Sequence, residues 1–348
     1  MTTKNFVFSA VLLDWFDQHG RHGLPWHYPR SAYQVWVSEV MLQQTQVQTV
    51  IPYFERFMRA FPDIQTLASS KQSEVLAHWA GLGYYARGRN LHRAAQIIQQ
   101  QFMGQFPKEF EQIQALPGIG RSTAGAILAQ AFEQPYAILD GNVKRVLSRF
   151  YAIEGWPGCK PVETKLWLKA EALLPNHRLA DYTQAMMDLG ATLCKRTRPG
   201  CERCPLSSGC QAHLYSLVDN LPSPKPKKAL PTQETWLLIL QDDLGRLAFV
   251  KRPEKGIWGG LYSLPAFGDK NQLLLAGVEP NSLLEWQSIA HSFSHFHLTI
   301  KPIQGKKPLA VKEGIDAFIW MLPWQALDQG LPAPIKKIIK KIALQSNN

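Results

Sequence analysis

Two carboxylates and four thiols are the residues of this chain whose types and spacing could do chemistry. Glu39 sits in the apolar run 35-VWVSEVML-42, and Asp140 stands in the turn 138-ILDGNV-143, ahead of a basic stretch. Burial disfavours the charged form of a carboxyl and so raises the pKa of Glu39, whereas free N–H groups at the start of the following helix keep Asp140 ionised. A pair split in this way can supply a proton at one point of a reaction and a negative charge at another. On the residues alone each also has a plainer reading: Glu39 as a partly buried ion-pair partner, Asp140 as a helix N-cap.

The thiols lie in 194-CKRTRPGCERCPLSSGC-210, where Cys194, Cys201, Cys204 and Cys210 follow the pattern C-x6-C-x2-C-x5-C. Four soft, negative ligands in one compact loop point to a metal. Zinc and iron–sulfur both remain open. Structural zinc sites favour two short Cys pairs, and only Cys201 and Cys204 form one here, so the spacing leans towards iron–sulfur. Lys195, Arg196, Arg198 and Arg203 share the loop and could meet phosphates or simply offset the thiolates. Cys159 stands apart. A further stretch, 116-LPGIGRSTAG-125, turns at Pro117, Gly118 and Gly120 into a helix start, whose outward N–H groups can hold an anion or serve as a plain cap.

These groups need elements to position them. Up to about residue 215 apolar residues recur three or four apart, as in 36–61 and 89–102, with Pro52 expected to end or kink the first of these helices. The stretch 220–233, with four prolines and three lysines, reads as an extended linker. Beyond it 235–241, 246–252 and 298–303 suit strands and 335–344 a basic-sided helix, so an α+β domain is expected after residue 234. With 348 residues the chain has room for two cores. Its 38 Lys and Arg against 27 Asp and Glu, a formal charge of +11, favour a polyanionic partner. No apolar run reaches the roughly 18 residues of a membrane span and no signal-peptide pattern opens the chain, so a soluble intracellular protein is expected.

Taken together, 36-WVSEVMLQQTQV-47, 81-GLGYYARGRNL-91, 116-LPGIGRSTAGAIL-128, 139-LDGNVKRV-146, 185-AMMDLGATLC-194 and the cysteine loop resemble the helix-hairpin-helix DNA glycosylases that carry an iron–sulfur cluster, most nearly the adenine DNA glycosylases of the MutY type. The resemblance implies a mainly α N-terminal glycosylase domain with an iron–sulfur cluster loop, plus an α+β Nudix-like C-terminal domain. It places a six-helix bundle at about 29–135, an iron–sulfur subdomain at about 1–28 and 136–219, a linker at 220–233 and a recognition domain at 234–348. It implies a [4Fe-4S] cluster on the four cysteines. The substrate it implies is double-stranded DNA bearing adenine opposite 8-oxoguanine or guanine, worked on by a monomer away from membranes, in the bacterial cytoplasm at the nucleoid.

Residue by residue, Glu39 matches the family's catalytic acid and Asp140 the carboxylate that stabilises the sugar cation. Leu116, Gly118 and Gly120 match the hairpin that holds a DNA phosphate, and Gln44 and Tyr84 the residues that enter the duplex beside the lesion. Asn142 and Asp188 match positions near the catalytic centre or base pocket; Trp26 is a pocket wall or core packing. Ser122 departs from the related endonuclease III type, which has a lysine there; a hydroxyl forms no Schiff base, so a monofunctional glycosylase is expected, with any strand cutting weak and due to lysines such as Lys144. In the C-terminal domain 251-KRPEKGIWGGLYSLPAF-267 and 291-HSFSHFHL-298 resemble a reader of 8-oxoguanine, with Phe293, Ser294 and His295 at the reading loop. The three histidines of 291–297 could suggest a metal, but their alternation with Phe fits a strand better. Residues 268–286 lack the dense glutamates of a working Nudix hydrolase, so that activity is expected to be absent. The rival readings are a bifunctional pyrimidine glycosylase and a metal-containing DNA-binding protein without chemistry.

Overall fold

The computed structural model describes residues 6–226, 229–253, 256–275, 282–293, 295–305 and 318–345. Helices come first: α1 (Phe8–His19), α2 (Ala32–Leu42), α3 (Val47–Ala60), α4 (Ile64–Ser69), α5 (Gln72–Trp79), α6 (Ala86–Phe102), α7 (Phe110–Gln114), α8 (Arg121–Phe132), α9 (Gly141–Phe150), α10 (Lys160–Ala172), α11 (Leu179–Thr192) and α12 (Gln211–Leu214). Then follow β1 (Thr232–Leu240), β2 (Leu247–Lys251), β3 (Tyr262–Ser263), β4 (Ala266–Phe267), α13 (Lys270–Leu275), β5 (Leu284–Glu285), β6 (Ile289–Ser292), β7 (His297–Gly305), β8 (Ile319–Met321), α14 (Pro323–Leu327) and α15 (Ala333–Gln345). The chain forms two compact units, Met1–Ser69 with Asn90–Lys227 and Ser70–Arg89 with Lys228–Asn348.

In the first unit α2 opens on Ser31, whose hydroxyl accepts the Gln34 N–H at 3.2 Å and so satisfies one orphan donor of the first turn. Val35, Trp36, Val37, Val40 and Met41 are all buried, so apolar residues surround the helix and Glu39 is its one charged side chain. α2 packs on α8, where the run Ala124–Gln130 is wholly buried. Small residues allow that: a Cβ on Gly125 would clash with the Ala137 carbonyl. Pro52 does not end the helix as expected. The helix breaks earlier, between Leu42 and Val47, where Gln44 takes a positive φ of 59°, and α3 then runs through Pro52 to Ala60.

α11 packs on α8, α9 and α1. Gly190 of α11 faces the start of α9 so closely that a Cβ would lie 2.6 Å from the Asn142 Cβ. Leu12, Phe16, Leu147, Leu166, Ala185 and Leu189 form the core between these helices, and Cys194, Cys204 and Cys210 pack against it.

In the second unit β1 pairs in parallel with β7, and β4 joins the far edge of β1. Both faces of β1 are covered: Leu237 and Ile239 enter one core, Leu238 and Leu240 another. That explains why 236-WLLIL-240 is a continuous apolar run instead of an alternating one. β3, β2 and β8 make a second sheet. α15 buries Ile335, Ile338, Ile339 and Ile342 and exposes Lys337, Lys340 and Lys341, which satisfies its amphipathic pattern. Segment 70–89 belongs here through hydrogen bonds to main chain: Tyr85 Oη donates to the Leu331 carbonyl at 3.1 Å, and Arg89 Nη1 to that of Gly259.

Candidate active site and cysteine pocket

Glu39 is half-buried, and its Oε1 accepts from Gln130 Nε2 of α8 at 3.2 Å. Burial, with the nearby charge of Asp140 adding to it, pushes its pKa up to about 7 against the pull of the Gln130 bond. Asp140 is the N-cap of α9. Its Oδ1 accepts the Val143 N–H at 2.8 Å and its Oδ2 the Asn142 Nδ2 at 3.1 Å. The capping bond foreseen from the sequence is therefore present, but its effect is corrected: burial outweighs the hydrogen bonds and the net pKa shift is upward. The two carboxyls are coupled: when Asp140 is ionised its negative charge helps Glu39 keep its proton.

α8 holds this arrangement at two points. Gln130 reaches Glu39, and near the helix start Ser122 Oγ accepts the Leu139 N–H at 2.9 Å, one residue before Asp140. Asn142 also accepts from Arg145 Nη2 at 2.9 Å, and Arg145 donates onward to the carbonyls of Gly190 and Cys194, each at 2.6 Å. Lys144 is engaged by Glu163 at 2.7 Å.

The helix start at 116–120 is formed as read. Gly118 has a φ of 80°, Leu116 is buried, and Gly120 is an N-cap without a capping side chain. Nothing would obstruct a Cβ at Gly120, which leaves that end of α8 open. Asp188 has no exposed side-chain surface. It accepts from Arg21 three times, at 2.7 Å from main-chain N, 2.8 Å from Nε and 2.6 Å from Nη2, and from Gln184 Nε2 at 2.7 Å. Gln184 Oε1 in turn pairs with His27 Nε2 at 3.1 Å, and burial lowers the pKa of His27, keeping it neutral. Trp26 is 3 % exposed and packs edge-on against Phe54, a core environment.

Gln44 and Tyr84 are both exposed and both have left-handed backbone, with φ of 59° and 50°. Backbone of that kind in residues other than glycine is costly and persists where neighbours enforce it. Arg87 does so for Tyr84: its guanidinium lies 5.4 Å from the Tyr84 ring and 5.6 Å from the Trp79 ring, and Nη2 donates to the carbonyls of Leu82 and Gly83. In the second unit β6 ends at Ser292, which pairs with His297 at the start of β7, so the uninterrupted strand expected over 291–297 is corrected to two antiparallel strands. Phe293 stacks on Phe296 at 4.7 Å, and the His295 ring meets Phe296 at 4.8 Å. Ser294 lies outside the described residues.

Cys194, Cys201, Cys204 and Cys210 all line one cavity, walled by Val146, Leu189 and Leu206; Glu39 and Asp140 are not among its lining residues. None is in a disulfide. Among the described residues no three or more His, Cys, Asp or Glu side chains could hold a metal ion. Four thiols around an open centre suit a larger inorganic core better than one ion. Burial raises Cys201, Cys204 and Cys210, the second of them to about 12, so a counter-charge inside the cavity is needed to keep these three as thiolates together. Arg149, 3 % exposed, approaches Cys194 Sγ at 3.5 Å and donates to the Lys195 carbonyl at 2.7 Å. Arg145 and Arg149 were not singled out from the sequence, although their four-residue spacing puts them on one face of α9. Gln130, Arg21 and Gln184 were also missed; a glutamine inside the apolar run of α8 was the available signal for the first.

Residues 37–172 match the model of the HhH-GPD superfamily of base excision DNA repair proteins, and residues 235–341 that of the NUDIX domain. An adenine DNA glycosylase of Buchnera aphidicola (Acyrthosiphon pisum) is 40% identical over 342 residues, covering 96% of this chain and 97% of its own. The human adenine DNA glycosylase is 47% identical, covering 87% of this chain and 68% of its own. Among solved structures a thermostable thymine-DNA glycosylase superposes with a TM-score of 0.55 at 26% identity, over 60% of this chain and 96% of that one. An endonuclease III–DNA complex, at 21% identity and a TM-score of 0.51 over 62% and 99%, shares the fold. Among the described residues no helix is long and apolar enough to cross a membrane. A helical base-excision domain followed by a Nudix-like α+β domain, with full-length relatives of one kind, leads to one assignment: the chain belongs to the adenine DNA glycosylases of the MutY type.

Proposed function

We propose that this glycosylase removes adenine lying opposite 8-oxoguanine, and less readily opposite guanine, and leaves an abasic site without cutting the strand. The pairing of Glu39 with Asp140 carries the reading. Glu39, its pKa raised to about 7, carries a proton near neutral pH, and Asp140, bonded to the Val143 N–H and to Asn142, serves as the ionised partner. Glu39 gives that proton to the purine as the bond from sugar to base breaks, with the bonding pair leaving on the base. The Asp140 carboxylate offsets the positive charge that develops on the sugar. Water then adds to the sugar carbon and its proton returns to Glu39. The nucleotide must be extruded from the stack for these groups to reach it.

Ser122 supports the monofunctional outcome, because its hydroxyl, committed to the Leu139 N–H, offers no amine for a Schiff base, and Lys144 is tied to Glu163. Gly118 and Gly120 would present main-chain N–H groups to a DNA phosphate, and Gln44 and Tyr84 would enter the duplex beside the lesion. Asn142 orients Asp140, and Asp188, held by Arg21 and Gln184, would support the base pocket from behind, with Trp26 in the packing around it. Phe293, Ser294 and His295 would read the oxidised base. The four cysteines would hold a [4Fe-4S] cluster, which supplies a rigid core beneath the exposed Lys195, Arg196, Arg198 and Arg203 for phosphate contact. The enzyme acts as a monomer on double-stranded DNA. Duplexes with one adenine opposite 8-oxoguanine, incubated with the protein and then split into samples with and without hot alkali, test it. Strand breaks at the adenine only after alkali are expected; no alkali-labile product would overturn the reading.

A further inference from the structure

Gln130 sits in α8 with 4 % of its surface exposed. Its Nε2 donates to Glu39 Oε1 at 3.2 Å, yet its Oε1 is buried without a partner among the described residues. A buried acceptor left unpaired is costly, and native structures seldom keep one without a use. Glu39 supplies the use. Ionised, a carboxyl only accepts hydrogen bonds; protonated, it has an O–H to donate. One amide offers the partner for each state, and a half-turn about the Cγ–Cδ bond exchanges them.

We propose that Gln130 is a positioning residue that holds Glu39 in both of its protonation states: the amide NH2 grips the carboxylate, and after the half-turn the amide carbonyl grips the carboxylic acid. The proposal rests on the reading of Glu39 as the acid. Through the cycle Glu39 loses a proton to the purine and regains one from water, so it changes from donor to acceptor and back while the amide follows. The half-turn thus keeps the acid aimed at one place while its proton leaves and returns. Asp140, at the start of α9, is the other ionisable group acting on Glu39, and it does not offer this exchange because its oxygens are bonded to the Val143 N–H and to Asn142.

The test is single-turnover excision of adenine over a range of pH, with duplex binding and thermal melting measured alongside. Gln130→Met keeps length and volume and removes both bonds. Its excision step is expected to fall about tenfold with duplex binding unchanged. The alkaline limb of its profile should move to higher pH, because of the two bonds lost the one to the charged carboxylate is the stronger, so the ionised acid loses more. Gln130→Glu, of the same shape, sets a second carboxyl against Glu39 and should move that limb further up, which serves if the Met variant melts early. A Gln130→Met profile that superimposes on the native one overturns the proposal. So does a uniform fall with the limb unmoved, the mark of a structural role alone. Glu39→Gln separates the two readings: if it still excises adenine, the acid assignment fails, whereas if it is inactive and Gln130→Met is normal, only the present inference fails.

Discussion

Arg21 grips Asp188 with its main-chain N–H, its Nε and its Nη2, joining residues far apart in the chain around a carboxylate that has no exposed surface. A buried charge held in this way is worth little beyond an apolar substitute, but losing one partner is expensive. Arg21→Ala should therefore destabilise the first unit by about 3 kcal/mol, read as a lower midpoint in urea with an unchanged slope. Asp188→Asn, which keeps an acceptor for Arg21, should lose less.

Glu39 has a folded pKa of about 7 against an ordinary 4.5. Excision that needs its proton should fall tenfold per pH unit above about 7, a limb that Asp140 alone cannot produce, and should fall again on the acid side where Asp140 takes up a proton. The same shift is a stability statement. Raised above its unfolded value, the group contributes fully below pH 4.5, and that contribution is lost as pH rises through about 7. Glu39→Gln should thus be inactive yet more stable than the native protein at mildly alkaline pH, by about 2–3 kcal/mol at most, as calorimetry at two pH values would register.

Asparagine caps a helix as well as aspartate does. Asp140→Asn should therefore leave α9 and the melting temperature nearly intact, within about 1 kcal/mol, while excision drops by roughly a hundredfold or more through loss of the negative charge. A parallel loss of folding and activity would point to a capping role only.

Ser122 stands beside the main chain that leads into Asp140. Borohydride added during the reaction should trap no covalent protein–DNA adduct with the native chain. Ser122→Lys should give a trapped band on a denaturing gel, because it brings an amine to this position.

If the cysteine cavity holds iron and sulfide, fresh protein should absorb broadly in the visible range, and Cys204→Ser should weaken that band and expose 195–210 to limited proteolysis.

The two carboxylates were legible in the sequence because each sat in an unusual setting: one acid in an otherwise uncharged helix, another just before a helix start. The strands at β1, β2 and β7 were legible for the same kind of reason, dense branched and aromatic residues between turn signals. What was not legible depends on partners rather than patterns. Whether burial or hydrogen bonding dominates at Asp140 is a balance of neighbours brought in by α8 and α11, and residue type does not report it. The grouping of 70–89 with the C-terminal unit rests on side chains that bond to main-chain carbonyls at Leu331 and Gly259, and any residue can supply a carbonyl. The bend before α3 was misplaced because Pro52 is a visible breaker, while the left-handed turn at Gln44 has no residue-type signature.

Gly190 offers no functional group to a substrate, yet a single methyl placed there would press on Asn142 and, through it, on Asp140, whose charge the proposed reaction needs. Loss of repair in a variant of this enzyme can therefore originate at a position where nothing chemical is removed. A survey that scores harm only by altered charge or polarity would pass over it, because what such a variant loses is an absence of atoms.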